Sequence, residues 1–170
     1  FGRTGKRWGI EHYGVEPDMI TVAKGIANGM PLAAVVTTQE IASTLTKNTI
    51  STFGGSPVSC AAANATIDII ERDNLKDNSA EMGKILRDGL EGLKEKYPKV
   101  IGEVRGKGLM QGIELVMDET AGDRTPNVAA ADQLMEETKK RGLFIGRGGL
   151  YGNSMRISPP LVITKAEVEE

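Results

Sequence analysis

An α/β fold is what this sequence of 170 residues predicts, on three observations. Short apolar runs, several of them β-branched and bounded by glycine or proline, recur along the chain. They alternate with longer stretches whose apolar residues fall three and four positions apart. The first pattern suits strands, and the second suits helices that lay one face on a core. Glycine also contributes 21 residues, above the usual share of about 7%. With no Gly-X-Y period, that excess implies many turns and close backbone approaches.

In chain order, Met19 to Ala23 (MITVA) and Leu32 to Thr37 (LAAVVT) read as buried strands with a Gly-rich loop between them. Ser56-Pro57 offers an N-cap followed by proline at the first helical position, which predicts a helix through Val58 to Arg72. A second helix is predicted from Ser79 to Tyr97, where Met82, Ile85, Leu86, Leu90 and Leu93 share a face and Pro98 stops it. Beyond Val100 the texture changes. Leu109 to Val116 and Leu143 to Gly146 read as strands, separated by a helix from Val128 to Arg141 that Gly142 ends. Asp118 to Asn127 reads as a polar loop, and Met155 to Ile163 as an extended segment because Pro159-Pro160 excludes helix. Thr164-Lys165-Ala166-Glu167 is a capping box that announces a further helix. The change near residue 75 is the expected boundary between two domains, 1–74 and 75–170.

Charge and composition narrow the function. Lys plus Arg number 21 against 23 Asp plus Glu, a net charge of −2, which argues against a nucleic-acid or anionic-membrane surface as partner. One Trp, three Tyr and three Phe leave few platforms for stacking bases. Cys60 and His12 are each the sole residue of their type. An internal disulfide, a Cys-based zinc cluster and a His-rich metal site are therefore excluded, and a reduced, metal-free protein is expected. No apolar run approaches the roughly 18 to 20 residues that span a bilayer. The start, Phe1-Gly2-Arg3-Thr4-Gly5-Lys6, is no signal peptide, and a first residue that is not Met predicts a piece of a longer chain.

Several constellations could carry chemistry. Gly2 to Lys6 resembles the tail of a phosphate loop, but Arg7 follows Lys6 where Ser or Thr is needed. Gly146-Arg147-Gly148-Gly149 lacks dinucleotide spacing and reads as a turn. Lys24 is more informative. Eleven of the twelve lysines sit in polar or helical-surface contexts, whereas Lys24 comes straight off an apolar run and precedes a glycine. An amine there is expected to be partly desolvated, which lowers its pKa and makes it a usable nucleophile toward an aldehyde; the alternative is an exposed lysine at a strand end. Arg156, in a rigid extended segment, presents a guanidinium fork that matches a carboxylate, or else is a surface arginine on an edge strand. Ser51-Thr52-Phe53-Gly54-Gly55-Ser56 offers hydroxyls and bare backbone before a helix N-terminus, a place to receive phosphate oxygens or an ordinary capped entry.

Together these segments resemble the class III, fold type I, pyridoxal-phosphate aminotransferases. The matching stretches are FGRTGKRWGIEHYGVEPDMITVAKGIANGMPLAAVV at 1–36, STFGGSP at 51–57, VRGKGLMQGIELV at 104–116 and MRISPPLVIT at 155–164, in the family's order. The run from Phe144 to Gly149, followed by the arginine segment, is most similar to the alanine:glyoxylate aminotransferase 2-like and omega-amino acid branch. The resemblance implies part of the large cofactor domain with its linking helix at 1–74, and most of the small C-terminal α/β domain at 75–170. It puts the family's Schiff-base lysine on Lys24 and the cofactor-phosphate contact on Ser51 and Thr52, Thr52 reaching the neighbouring subunit's cofactor. It puts the grip on the substrate α-carboxylate on Arg156. It further implies pyridoxal 5′-phosphate, amino acid and 2-oxo acid substrates of the glyoxylate or pyruvate type, a homodimer with shared active sites, no nucleic-acid or membrane partner, and either the bacterial cytoplasm or the mitochondrial matrix. Two departures stand out. The acidic residue that pairs with the pyridine nitrogen lies in the family just before residue 1, and the family's N-terminal half is absent. A same-fold aminomutase or decarboxylase, or a folded fragment without cofactor, are the alternatives.

Overall fold

The computed structural model describes residues 1–170, which form two compact units. The first comprises Phe1 and Lys6–Leu75, the second Gly2–Gly5 and Lys76–Glu170.

In the first unit, β1 (Met19–Val22) pairs antiparallel with β2 (Ala34–Thr37), in register from Met19 opposite Thr37 to Val22 opposite Ala34. A 3-10 turn, Lys24–Ala27, follows β1 after the single residue Ala23. The short helix α1 (Gln39–Ala42) is capped by the Thr38 hydroxyl, which accepts from the Ile41 N–H at 3.3 Å. The long helix α2 (Pro57–Arg72) starts at the proline that the sequence placed there. Val22, Ile26, Ala27 and Ala63 make the core, with Phe1, Trp8, Ile20 and Leu32 packed against it. Both strands were expected to be buried, and the structure corrects this. Only Val22 is buried, while Met19, Val35 and Val36 are 56%, 61% and 58% exposed. A continuous apolar run signals a strand covered on both faces, but a two-stranded ribbon has a neighbour on one edge only, and its core lies under the Val22 end.

The second unit is a five-stranded antiparallel sheet. Its strands are β3 (Ile101–Lys107), β4 (Met110–Asp118), β5 (Asp123–Pro126), β6 (Gly146–Gly148) and β7 (Ser154–Ile157). The order is β3-β4-β7-β6, with β5 also pairing with β4. Helices α3 (Leu75–Lys96) and α4 (Val128–Lys140) supply Leu86, Leu90, Ala131, Leu134 and Met135 to a core with Val104, Ile113, Leu115 and Met155. Because side chains alternate along a strand, Gly112, Glu114, Ser154 and Arg156 face away from that core. Gly2–Gly5 is stitched into the unit by one carbonyl: the Arg3 oxygen accepts from Ser79 Oγ at 2.5 Å and from the Leu109 N–H at 2.9 Å. The chain there runs so close to the β3–β4 turn that a Cβ on Gly108 would stand 2.5 Å from the Thr4 carbonyl carbon. Gly108 also has φ +53, so the turn needs glycine twice over.

Several boundaries differ from the sequence reading. Helix α3 begins at Leu75 rather than Ser79. β3 was not anticipated, since Gly102, Glu103, Arg105, Gly106 and Lys107 interrupt any apolar run; it exists because β4 offers an edge to pair with. The expected polar loop from Asp118 to Asn127 contains a 3-10 turn and β5, which pairs Val116 with Pro126. The strand read at Leu143 to Gly146 is displaced to Gly146–Gly148, a stretch read as a turn, and Leu143 and Phe144 are exposed. Pairing with β7 decides this, because Gly146 and Gly148 meet Arg156 and Ser154 in register. Of the extended segment from Met155 to Ile163, only the part to Ile157 is strand. Asn127, read as part of the polar loop, caps α4 by accepting from the Ala130 N–H; the anticipated capping box at Thr164 opens α5 (Lys165–Glu169), and Gly142, at φ +86, follows the end of α4. No helix is long and apolar enough to cross a membrane.

Candidate functional site

Lys24 is held in an unusual conformation. β1 ends, Ala23 continues extended, and Lys24 turns to φ +53 as the first residue of the 3-10 turn. Three non-glycine residues have positive φ: Lys24, Asn28 and Asn74. Asparagine tolerates this region because its short side chain bonds locally, whereas lysine has no such compensation and the conformation costs about 1–2 kcal/mol. The surroundings impose it. Val22 before Lys24 and Ile26 and Ala27 after it are all buried, and the Ile26 N–H bonds back to the Ala23 carbonyl at 3.3 Å. A long cationic side chain kept strained by anchored neighbours is the kind of outlier that accompanies function. The side chain itself is exposed, which corrects the expectation of partial desolvation: burial along β1 stops at Val22, two residues short of the amine.

Ser51 and Thr52 are both exposed in a tight turn ahead of α2. The Gly54 N–H bonds to the Ser51 carbonyl at 3.1 Å and the Ser56 N–H to the Phe53 carbonyl at 3.3 Å. A Cβ on Gly54 would lie 2.9 Å from that of Ser51, so the turn closes only with glycine. Ser56 holds the N-cap position but makes no side-chain capping bond, contrary to the sequence reading. The first N–H groups of α2 thus have no side-chain acceptor, and with two hydroxyls nearby in sequence they can receive an anion.

Arg156 lies in the second unit on β7, opposite Gly112 of β4 on one side and Gly146 of β6 on the other. Glycine on both flanks leaves the face around the arginine bare, and an added Cβ on Gly146 would come within 4.0 Å of the guanidinium. The face forms a cavity of about 510 Å³ lined by three arginines, Arg105, Arg147 and Arg156. Of the nine arginines in the chain, seven are paired with carboxylates of the chain itself. Arg105 is held by Glu103 and Glu114, and Arg147 by Asp132. Arg156 has no such partner and is exposed, which leaves its planar fork for an incoming carboxylate. Hydrogen bonding to Glu114, with the charges of Glu103 and Glu114 adding to it, raises the Arg105 pKa further above its ordinary value, against the effect of burial.

Lys24, Ser51 and Thr52 therefore belong to the first unit and Arg156 to the second. The sequence does not single out Arg105, Glu103 or Glu114. Their signal is the alternation Glu103-Val104-Arg105 set against Gly112-Ile113-Glu114, which becomes readable only once the register of β3 and β4 is known.

Three comparisons place the chain among known proteins. The family model described as aminotransferase class-III matches residues 1–170. The chain is 48% identical over 170 residues to alanine–glyoxylate aminotransferase 2 homolog 2, mitochondrial, of Arabidopsis thaliana, covering 99% of this chain and 35% of that protein. It superposes on an aminotransferase from Bacillus anthracis with a TM-score of 0.90 at 40% identity, covering 99% of this chain and 40% of that one. On a phospholyase from Arthrobacter in complex with phosphoethanolamine the TM-score is 0.92 at 36% identity, with the same coverage of 99% and 40%. The chain thus spans between a third and two-fifths of the length of these relatives.

Proposed function

The chain belongs to the class III aminotransferases, and from that premise we propose that the complete protein is a pyridoxal-phosphate-dependent transaminase. It moves the amino group of an amino acid or omega-amino acid to a 2-oxo acid of glyoxylate or pyruvate size. The observation that carries this reading is Lys24. The residue matching the family's Schiff-base lysine is the one long side chain held at positive φ, at the mouth of a strand.

The residues fit the cofactor's chemical parts. An aldehyde needs an amine, which Lys24 offers. A phosphate needs donors, which Ser51, Thr52 and the uncapped start of α2 offer. The bound cofactor supplies a carbonyl for the amine and a ring that takes up the electron pair released at the substrate α-carbon. Arg156 binds the substrate carboxylate through its fork and fixes the orientation of the α-carbon. Lys24, once its amine is free and neutral, takes the α-proton as general base and returns it as general acid. Thr52 serves the cofactor phosphate of the second subunit, so the active species is a homodimer. The large-domain assignment of residues 1–74, the small-domain assignment of 75–170, and a bacterial-cytoplasmic or mitochondrial-matrix location belong to the same reading.

Borohydride reduction of the complete protein with pyridoxal phosphate, followed by peptide mass mapping, tests it. Label is expected on Lys24 alone and absent from Lys24→Ala, whose turnover falls by a factor of about 1,000 or more. Label elsewhere, or a Lys24→Ala enzyme that keeps its turnover, overturns the assignment. The likeness to the Arthrobacter phospholyase favours one second reading, a lyase acting on a phosphorylated amine. Phosphate release from phosphoethanolamine, without amino transfer to glyoxylate or pyruvate, would select it.

A further inference from the structure

We infer that Arg105 is a positioning residue for the carboxylate site: it holds Glu114 away from Arg156 and so keeps the Arg156 guanidinium open to substrate. The inference rests on the reading of Arg156 as the carboxylate grip.

The register supplies the geometry. Arg105 is opposite Gly112, and Gly112 is opposite Arg156, so the two arginines share a row and a face with β4 between them. Two inter-strand spacings put their Cα atoms about 10 Å apart. The next row contains Glu103, Glu114, Ser154 and Gly148. Glu114 is opposite Ser154, which makes it the diagonal neighbour of Arg156, at a Cα distance of about 7–8 Å that long side chains bridge readily. On proximity alone Glu114 has two guanidinium partners within reach.

Its carboxylate goes to Arg105. Arg105 Nη1 donates to Glu114 at 2.6 Å and to Glu103 at 2.8 Å, and Nη2 donates to Ser154 Oγ at 3.2 Å. Glu103 and Glu114 are directly opposite each other across β3 and β4, an arrangement that repels unless a cation bridges it. Arg105 is that cation. Its position two residues along β3 from Glu103 lets one guanidinium satisfy both carboxylates and hold Ser154 on the strand that carries Arg156. Gly112, standing between the two arginines, adds no side chain that would block the exchange of Glu114 from one to the other. Without Arg105, the repelled Glu114 turns to Arg156 and competes with substrate for the same fork.

The test is binding of propanoate, a non-reacting monocarboxylate, to the full-length cofactor-loaded enzyme by titration calorimetry, with KM and kcat for the oxo acid measured alongside. Arg105→Met is expected to weaken propanoate binding about fivefold and to raise KM with little change in kcat. Arg105→Met combined with Glu114→Gln is expected to restore binding, because the competing carboxylate is gone. A purely structural role for Arg105 predicts no such rescue. Unchanged binding in Arg105→Met, or a double variant as weak as the single one, overturns the inference. Arg156→Met is the separate control: if it binds propanoate as well as the parent, the reading of Arg156 itself fails.

Discussion

The two units carry their candidate residues in opposite ways. In the second, Arg156 stands on a strand whose next residue inward, Met155, is fully buried, in a sheet backed by α3 and α4. In the first, Lys24 follows a two-stranded ribbon with exposed apolar faces and is positioned by strained backbone between a few buried residues. One side chain is placed by packing and the other by a local turn. Sensitivity to substitution should therefore divide the same way. The largest effect is expected at Met155→Ala, which removes a core side chain at 0% exposure and should cost the second unit about 2–5 kcal/mol. Denaturant unfolding of the chain checks it, and a loss below 1 kcal/mol would remove the contrast between the units.

The comparison is sharpened at Lys24, where stability and function should move in opposite directions. Glycine adopts φ +53 without steric cost, so Lys24→Gly should stabilise the chain by about 0.5–1 kcal/mol, the relieved strain being partly offset by glycine's greater freedom when unfolded. The same change removes the amine. A raised unfolding midpoint together with lost cofactor attachment would show that the strained turn is maintained for the amine. A lowered midpoint would mean that the lysine side chain stabilises the turn and that positive φ reflects packing alone.

How far the sequence discloses this molecule follows from where its information is local. Pro57, Thr164 and Gly142 act within a turn or two of backbone, and the helix boundaries beside them follow. Lys24 stands out as a candidate because its context, an apolar run ending in Lys-Gly, is contiguous. What escaped depends on partners distant in the chain. β3 looks like a charged linker until β4 pairs with it, and Gly146-Arg147-Gly148 looks like a turn until β7 does. The bare surface around Arg156 depends on Gly112 and Gly146, which lie 44 and 10 residues before it in the sequence. The exposure of Lys24 was misjudged because an apolar run reports what a strand prefers to bury, while burial itself depends on what covers each face.

The smallest expected effect lies on the surface of the second unit, at the end of α4. Glu137 receives hydrogen bonds from Lys140 Nζ and Arg141 Nη1, each at 2.7 Å. These two bonds, Lys140 first, lower its pKa from 4.5 to about 2. The helix dipole acts the other way, since a carboxylate in the last turn faces the negative end, so the depression is the work of the two cations. A carboxyl with a lowered pKa in the folded state stabilises it above the pKa of the unfolded chain, and that contribution disappears as pH falls from about 4.5 through about 2. Glu137→Gln should therefore melt slightly lower than the parent at neutral pH, with the gap closing in acid. Both cations are exposed, and salt should shrink the difference as well. Parallel melting curves for parent and variant across that pH range would show that the ion pairs at the end of α4 contribute nothing to the second unit, whose stability would then rest on the packing around Met155.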